Sequence, residues 1–252
     1  MTVSAVIITK NEENNILECI KTLKFVDEII VIDNFSQDKT VEKAITVGAK
    51  VYTHSGLDFS YLRNIGKEKS TSEWLLYVDA DEKVSKDLEE EIENIVKHDT
   101  GFSAYQIVRQ NYYFGRLWPK NEKMTRMMRK DSLLGWQGIL HESPIVSGKV
   151  GQLKSRLIHY THRNLSEMVA KTNEWSEVEA QLRYKNNHPN ITWWRLLRMM
   201  LTSFFDSYVE KEAWKAGSEG IIESIYQSFS MFITYAKLWE KQNTYLRKKR
   251  NG

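Results

Sequence analysis

The sequence predicts an α/β fold, a mostly parallel β-sheet flanked by helices, with a C-terminal helical extension. Three observations predict it. Apolar β-branched runs alternate with helix-period segments over the first hundred residues, the pattern of βαβ units. The first, second and fourth of those runs break into polar residues at their C-terminal ends, where open α/β sheets bind ligands. From Leu165 onward the chain reads as helix almost to its end.

The elements follow in order. "VSAVIIT" is a β-branched strand, and "NEENNILECIKTL" has helical spacing at Ile16, Ile20 and Leu23. "EIIVIDN" is a second buried strand. "SQDKTVEKAITVGA" is a helix with Ser36 as its N-cap and Gly48 near its end. "KVYTHS" is a short third strand, "SYLRNIGKEKS" a short helix and "WLLYVDA" the fourth strand. "SKDLEEEIENIVKH" is a charged helix, capped by Ser85, with Leu88, Ile92, Ile95 and Val96 inward. Beyond residue 102, "AYQIVRQNYYFG", "MTRMMRKD" and "RLIHYTH" are strands without long helices between them, so the sheet gains a mixed or antiparallel extension. The expected domains are 1–164 for the sheet and 165–252 for the helices, with "NNHPN" at 186–190 separating two helices.

Composition narrows the function. The 252 residues, 41% hydrophobic, allow one large domain with a helical appendix. A net charge of +3 is too small to indicate a nucleic-acid partner. The single Cys19 excludes an internal disulfide, fits a reducing compartment and reads as a buried thiol. No basic signal-peptide n-region and no run of about 20 apolar residues is visible, so a cytoplasmic location is expected. The "NIT" at Asn190 carries little weight without a secretory signal.

Chemistry gathers where "WLLYVDADEKV" ends. Asp79, Asp81 and Glu82 close an apolar strand, and crowded carboxylates resist burial unless something compensates them. On extended backbone, Asp79 and Asp81 point the same way, which suits a hard divalent cation (Mg2+ or Mn2+) carrying a diphosphate. Thr9 to Glu12 and Asp33-Asn34 end two other strands at the same edge. Asp33 can accept from a base N–H, while Asp38 and Thr40 serve local turns. Arg63, with Asn64, sits on the helix before the acidic strand and can reach a phosphate. Glu142 follows His141 in the glycine-bounded loop "GWQGILHESP"; with Trp136 nearby, partial desolvation would suit it as a general base. His159 and His162, in "IHYTHR", are metal ligands, phosphate donors or core histidines.

Laid out together, these motifs resemble family 2 glycosyltransferases of the GT-A, Rossmann-like fold. "AVIITKNEENNILECIKTL", "EIIVIDNFSQDKT", "YLRNIG" and "LLYVDADEKV" follow that family's order and spacing. "GILHESP" and "HYTHRNLSEMVAKTNEWSEVEA" are similar to a narrower branch, the bacterial lipopolysaccharide-core glucosyltransferase-like enzymes. The resemblance implies an inverting, metal-dependent transferase with a nucleotide-sugar donor, most often a UDP-sugar, and a glycan or glycolipid acceptor such as lipopolysaccharide core. It implies that Thr9 and Glu12 line the nucleoside pocket and that Asp33 contacts the base. Asp79 would sit near ribose or metal, Asp81 would ligate the metal, Glu142 would be the catalytic base, and His159 would approach the diphosphate or metal. One departure is Glu219 in "GSEGIIE", where the family is expected to carry an Asp.

Two regions leave choices open. "NYYFGRLWPKNEK" is either an acceptor-side loop or core. In "ITWWRLLRMMLTSFFDSYVEK", Trp193, Trp194, Leu197, Met200, Leu201, Phe204, Phe205 and Tyr208 form one apolar stripe. That stripe either meets the inner-membrane surface, helped by the basic "YLRKKRNG", or packs on protein, including a second copy in a homo-oligomer. Three rival readings are a haloacid-dehalogenase-like phosphatase, a sugar nucleotidylyltransferase and a non-catalytic nucleotide-binding or membrane-scaffold protein. The phosphatase needs a Thr after its aspartate pair, where Glu82 and Lys83 stand, and the nucleotidylyltransferase needs a glycine-rich loop that "TKNEENN" lacks.

Overall fold

The computed structural model describes residues 1–56, 58–98, 100–139 and 142–250, except the side chains of 244–250. His141 and the basic side chains of 247–250 therefore lie outside the described residues.

Strand β1 (Val3–Thr9) is buried along its whole length. Ala5 and Ile7 enter one core, and Val6 and Ile8 enter clusters on the opposite face. A strand covered on both faces must be apolar throughout, which is why it reads as an unbroken run. Removing the Ile7 side chain to Ala would cost about 2–5 kcal/mol. Strands β2 (Glu28–Asp33), β3 (Lys50–Thr53) and β4 (Trp74–Asp79) lie parallel with β1 in the order β3-β2-β1-β4. The register sets Thr9 beside Asp33 and Ile8 beside Asp79, so three polar strand ends meet at one edge.

The remaining strands run as expected from residue 102 onward. β8 (Glu122–Arg129) pairs antiparallel with both β4 and β6 (Ala104–Tyr113). β11 (Val150–Thr161) follows in the sheet order, then β5 (Glu82–Val84), a strand the sequence did not show. β5 pairs antiparallel with β11, His159 against Glu82. β9 (Leu133–Gln137) and β10 (Ser143–Val146) form a separate hairpin, and β7 (Arg116–Leu117) pairs with the end of β6.

Four helices cover this sheet: α1 (Ile16–Lys21), α2 (Thr40–Thr46), α3 (Phe59–Lys69) and α4 (Lys86–Lys97). Ser85 Oγ caps α4 by accepting the Leu88 N–H at 3.2 Å, and Leu88, Ile92, Ile95 and Val96 are its buried face, as expected. Ser36 does not cap α2, which begins later, at Thr40. Its Oγ accepts the Asn11 N–H at 2.8 Å and its own N–H donates to Asp33 Oδ2 at 3.1 Å, tying two strand-end loops together. On α3, a Cβ at Gly66 would stand 2.2 Å from Val6 Cγ1. Glycine there lets α3 lie directly on β1, which fixes Arg63, one turn earlier, over the strand ends. Cys19 is buried, and burial pushes its thiol well above the ordinary value.

Two compact units result: residues 1–111 with 121–160, and residues 112–120 with 161–252. The second holds α5 (Leu165–Lys185), α6 (Trp193–Phe205) and α7 (Gly217–Arg250), with α7 packed on both others. "NNHPN" does end α5. Asn187 adopts a left-handed φ of 53°, its N–H donates to the Tyr184 carbonyl and that of His188 to the Arg183 carbonyl, the paired bonds of a Schellman stop. Among the described residues no helix is long and apolar enough to cross a membrane.

Candidate active site

The site is built at the C-terminal edge of β1, β2 and β4, within the first unit. Thr9 and Asp33 end adjacent strands and are both buried. Asp33 Oδ2 is held by the Ser36 N–H, while Asp33 Oδ1 and Thr9 Oγ1 have no hydrogen-bond partner among the described residues. Glu12 follows in the next loop. Its N–H donates to Thr40 Oγ1 at 2.8 Å and its carboxylate accepts from the Asn15 amide.

Asp79 is placed differently from the sequence expectation of a cation ligand. Arg126, on β8, reaches its Oδ2 at 2.7 Å and its Oδ1 at 3.3 Å, and Arg63 reaches Oδ1 at 3.0 Å. Burial would raise the carboxyl, but the guanidiniums of Arg126 and Arg63 outweigh it and hold Asp79 well below the usual carboxylate range. Glu82 is fully buried beneath it. It accepts the Asp79 N–H at 2.8 Å and faces Arg109 at 3.3 Å; burial and then the charge of Asp79 push it upward. Protein cations thus compensate much of the crowding that the sequence assigned to a metal. Asp79, clamped at both oxygens, is also badly placed as the nucleophile of a phosphatase.

Asp81 is turned elsewhere. The β5–β11 pairing brings His159 Nε2 to 3.3 Å from Asp81 Oδ2. On the other side of the ring, Nδ1 lies 2.8 Å from Asn111 Oδ1. An amide oxygen only accepts, so Nδ1 donates to it; the Asp81 carboxylate also only accepts, so a hydrogen bond there needs a proton on Nε2, which a bound cation would replace. Burial lowers His159, but the hydrogen bond and charge of Asp81 outweigh it and the net shift is upward. A carboxylate and an imidazole at this separation fit a divalent cation. Two donors about 2.1 Å from an octahedral ion stand about 3 Å apart. No group of three or more metal-ligating side chains occurs among the described residues, so substrate oxygens and water would complete such a shell.

Glu142 stands against a cation rather than in an apolar pocket. Arg63 donates to its Oε1 from Nε at 2.8 Å, with Nη2 at 2.7 Å. Arg63 is itself fixed by stacking on Trp136, 4.8 Å from the ring centre, and on Tyr77. Arg63 therefore joins Asp79 to Glu142, and its Nη1 alone has no partner among the described residues. Asn64 orients the same loop, bonding the N–H and carbonyl of Trp136.

Buried side-chain polar atoms are normally paired, so exceptions mark places where a water, an ion or a ligand would complete the pairing. Among the described residues they are Thr9 Oγ1, Asp33 Oδ1, Arg63 Nη1 and Arg126 Nε, besides the indole nitrogens of Trp74 and Trp136. The first four all belong to the strand-end cluster. Sequence reasoning missed Arg126, Arg109 and Asn111, and it named Glu82 among the crowded carboxylates without giving it a place in the site. Arg126 did leave a signal, a charge set between methionines in the strand "MTRMMRK".

The other sequence candidates lie in the second unit. His162 bonds the buried Glu223 at 2.8 Å and stacks on Tyr113. Trp118, in the expected acceptor loop, is buried against Ala213 and Ala216 with Tyr113 alongside, so these rings build core. Glu219, the family departure, pairs with Arg116 at 3.1 Å.

Known proteins place this arrangement. An "Uncharacterized glycosyltransferase" of Rickettsia felis is 30% identical, covering 94% of this chain and 89% of its own length. The "Lipopolysaccharide core biosynthesis glycosyltransferase LpsC" of Rhizobium meliloti is 24% identical over 94% of this chain and 92% of its own. The crystal structure of S. aureus TarS 1-349 in complex with UDP-GlcNAc superposes with a TM-score of 0.50 at 14% identity, covering 97% of this chain and 92% of that one, which shows the shared GT-A fold. Residues 4–151, more than half of the chain, match the sequence profile of "Glycosyl transferase family 2", and the chain belongs to that family.

Proposed function

We propose that this glycosyltransferase moves a hexose from a UDP-sugar, with inversion, to a hydroxyl of a cell-envelope glycan or glycolipid such as lipopolysaccharide core, at the cytoplasmic face of a membrane. The observation that supports it most is the cluster of buried, unpartnered polar atoms at the sheet edge. Asp33 Oδ1 accepts a base N–H and Thr9 Oγ1 a further polar group of the nucleoside, with Glu12 alongside. Arg63 Nη1 and Arg126 Nε keep donors for sugar or phosphate oxygens, and Asp79 positions both guanidiniums. The similarity to LpsC supports the choice of acceptor class.

Asp81 and His159 would hold Mg2+ or Mn2+. Such a cation, when bound, stabilises the charge of the departing nucleoside diphosphate. Glu142 accepts the proton of the acceptor hydroxyl as that oxygen attacks the anomeric carbon. Arg63 fixes Oε1 of Glu142, and Oε2 is the oxygen left to take the proton. General base catalysis of this kind contributes about 10²–10⁴-fold.

Glu142→Gln tests the assignment. The variant should bind UDP and UDP-sugars in calorimetry as the native chain does, and lose transfer by about 10²–10⁴-fold. Transfer at the native rate would remove Glu142 from the role. A thermal-shift panel of nucleotide sugars with Mn2+ identifies the donor, because a ligand that binds only the folded chain raises its melting temperature.

A further inference from the structure

We propose that the outer face of α6 docks on an anionic lipid surface, lying in the plane of the headgroups. The proposal deepens the glycolipid reading above, on which it rests for the acceptor's location, by naming the surface and the partner. On α6, Trp193, Leu197, Leu201 and Phe205 recur at every fourth position and are 51–76% exposed. At 1.5 Å per residue they mark an apolar line about 18 Å long. Scattered exposed apolar residues need no explanation, but a continuous strip does. No residue of α6 is buried. Its other side, through Leu196 and Met199, packs on the Ala180–Ile191–Tyr235–Leu238 cluster, so the helix is anchored without the strip. The stripe read from sequence is thus divided: Trp193, Leu197, Leu201 and Phe205 face outward, while Met200, Phe204 and Tyr208 are half-buried.

Charge selects the occupant. α6 carries Arg195 and Arg198 and no acidic residue. Both guanidiniums lie 5.6 Å from the centre of the Trp194 ring. Cations beside an amphipathic tryptophan and a line of apolar side chains match the depth profile of a headgroup region, where tryptophan settles and arginine meets lipid phosphate. Asp206 and Glu210 border the far end of the same surface, past the helix, and Asp206 is paired with Lys211 at 3.0 Å. With 13 residues, α6 is about 20 Å long, short of the ~30 Å hydrocarbon core, so it lies on the bilayer and does not span it.

Flotation of the full chain with phosphatidylcholine–phosphatidylglycerol vesicles tests this. Binding should exceed that to pure phosphatidylcholine and should weaken in high salt, because headgroup attraction is screened. The triple variant W193S/L201S/F205S removes three half-exposed anchors and should lower partitioning by about 100-fold. As a second measurement, brominated lipid should quench a share of native tryptophan emission that Trp193→Phe removes. No flotation with anionic vesicles at low salt, or unchanged flotation of the folded triple variant, overturns the proposal. So does a lipid-free dimer that the triple variant converts to monomer, because the face then belongs to a second copy. UDP binding measured in parallel keeps the two readings apart. Vesicle binding lost with UDP binding intact sinks only the membrane contact; the reverse sinks only the UDP-sugar donor assignment.

Discussion

Replacing Asp33 by asparagine tests the nucleoside pocket with little disturbance of shape. Asp33 is 1% exposed, with one oxygen on the Ser36 N–H and the other unpartnered. In the variant, the amide oxygen can keep the Ser36 bond, which puts an NH2 group where Oδ1 was. A base N–H then meets a donor. The lost bond to a charged acceptor is worth about 1.5–3 kcal/mol, so the UDP dissociation constant should rise about 10–150-fold. Calorimetry in Mn2+ reads this directly. Thermal shift reads it a second way. At UDP about 100-fold above the native dissociation constant the bound chain gains about 2.7 kcal/mol, and after a hundredfold weakening about 0.4 kcal/mol remains. A melting shift of about 5–10 °C therefore shrinks to about 1 °C. Without ligand the sign differs: neutralising a buried, half-partnered carboxylate should not lower the melting temperature. An Asp33→Asn chain that binds UDP within about threefold of native would refute the pocket assignment. A fall of several degrees without ligand would show that Oδ1 serves the fold instead.

Further outcomes follow from other parts of the first unit. Asp81→Ala should abolish the difference between UDP binding in Mn2+ and in chelator, and equal native affinity in both conditions would remove the cation from the proposal. Glu28, buried at the far end of β2, is held down from 4.5 to about 2: burial opposes this, but the hydrogen bonds from Lys50, Ser4 and Thr71 outweigh it. Its folded value lies below its unfolded one, so its contribution is complete above the unfolded value and disappears as pH falls through the folded value. Glu28→Gln should therefore cost about 3 kcal/mol at neutral pH, a melting shift of roughly 6–12 °C. It should cost little near pH 2. A penalty independent of pH would mean that Glu28 acts through packing alone.

Local period carried most of the fold into the sequence. β1, β2 and β4 are apolar because both their faces are covered, and their polar ends mark the ligand edge without reference to any other part of the chain. The Ser85 cap and the stop at Asn187 are equally local. What stayed hidden depends on strand order. Arg126 meets Asp79 across 47 positions, and Asn111 meets His159 across 48, because β8, β6 and β11 follow β4 in the sheet. No periodicity encodes that succession. Ser36 misled for the same reason: its preference for caps is local, but its hydroxyl is taken by Asn11, 25 residues away. β5 is only three residues long, too short for a period to show, yet it sets His159 against the acidic turn.

The division of charge at the acidic turn explains why three carboxylates can end one strand. Asp79, Glu82 and Glu142 are met by Arg63, Arg109 and Arg126, which are forked donors suited to carboxylates and remain with the protein whether or not substrate is bound. Had Asp79 and Asp81 shared one cation, that ion would stand close to two buried guanidiniums and be repelled by both. Turning Asp81 toward His159 separates the two kinds of cation. The arginines fix the geometry around Glu142, and the proposed cation, if held by Asp81 and His159, would arrive and leave without disturbing it. On the proposed mechanism that separation would keep the base in place at product release, because Glu142 is held by Arg63 and not by the departing ion.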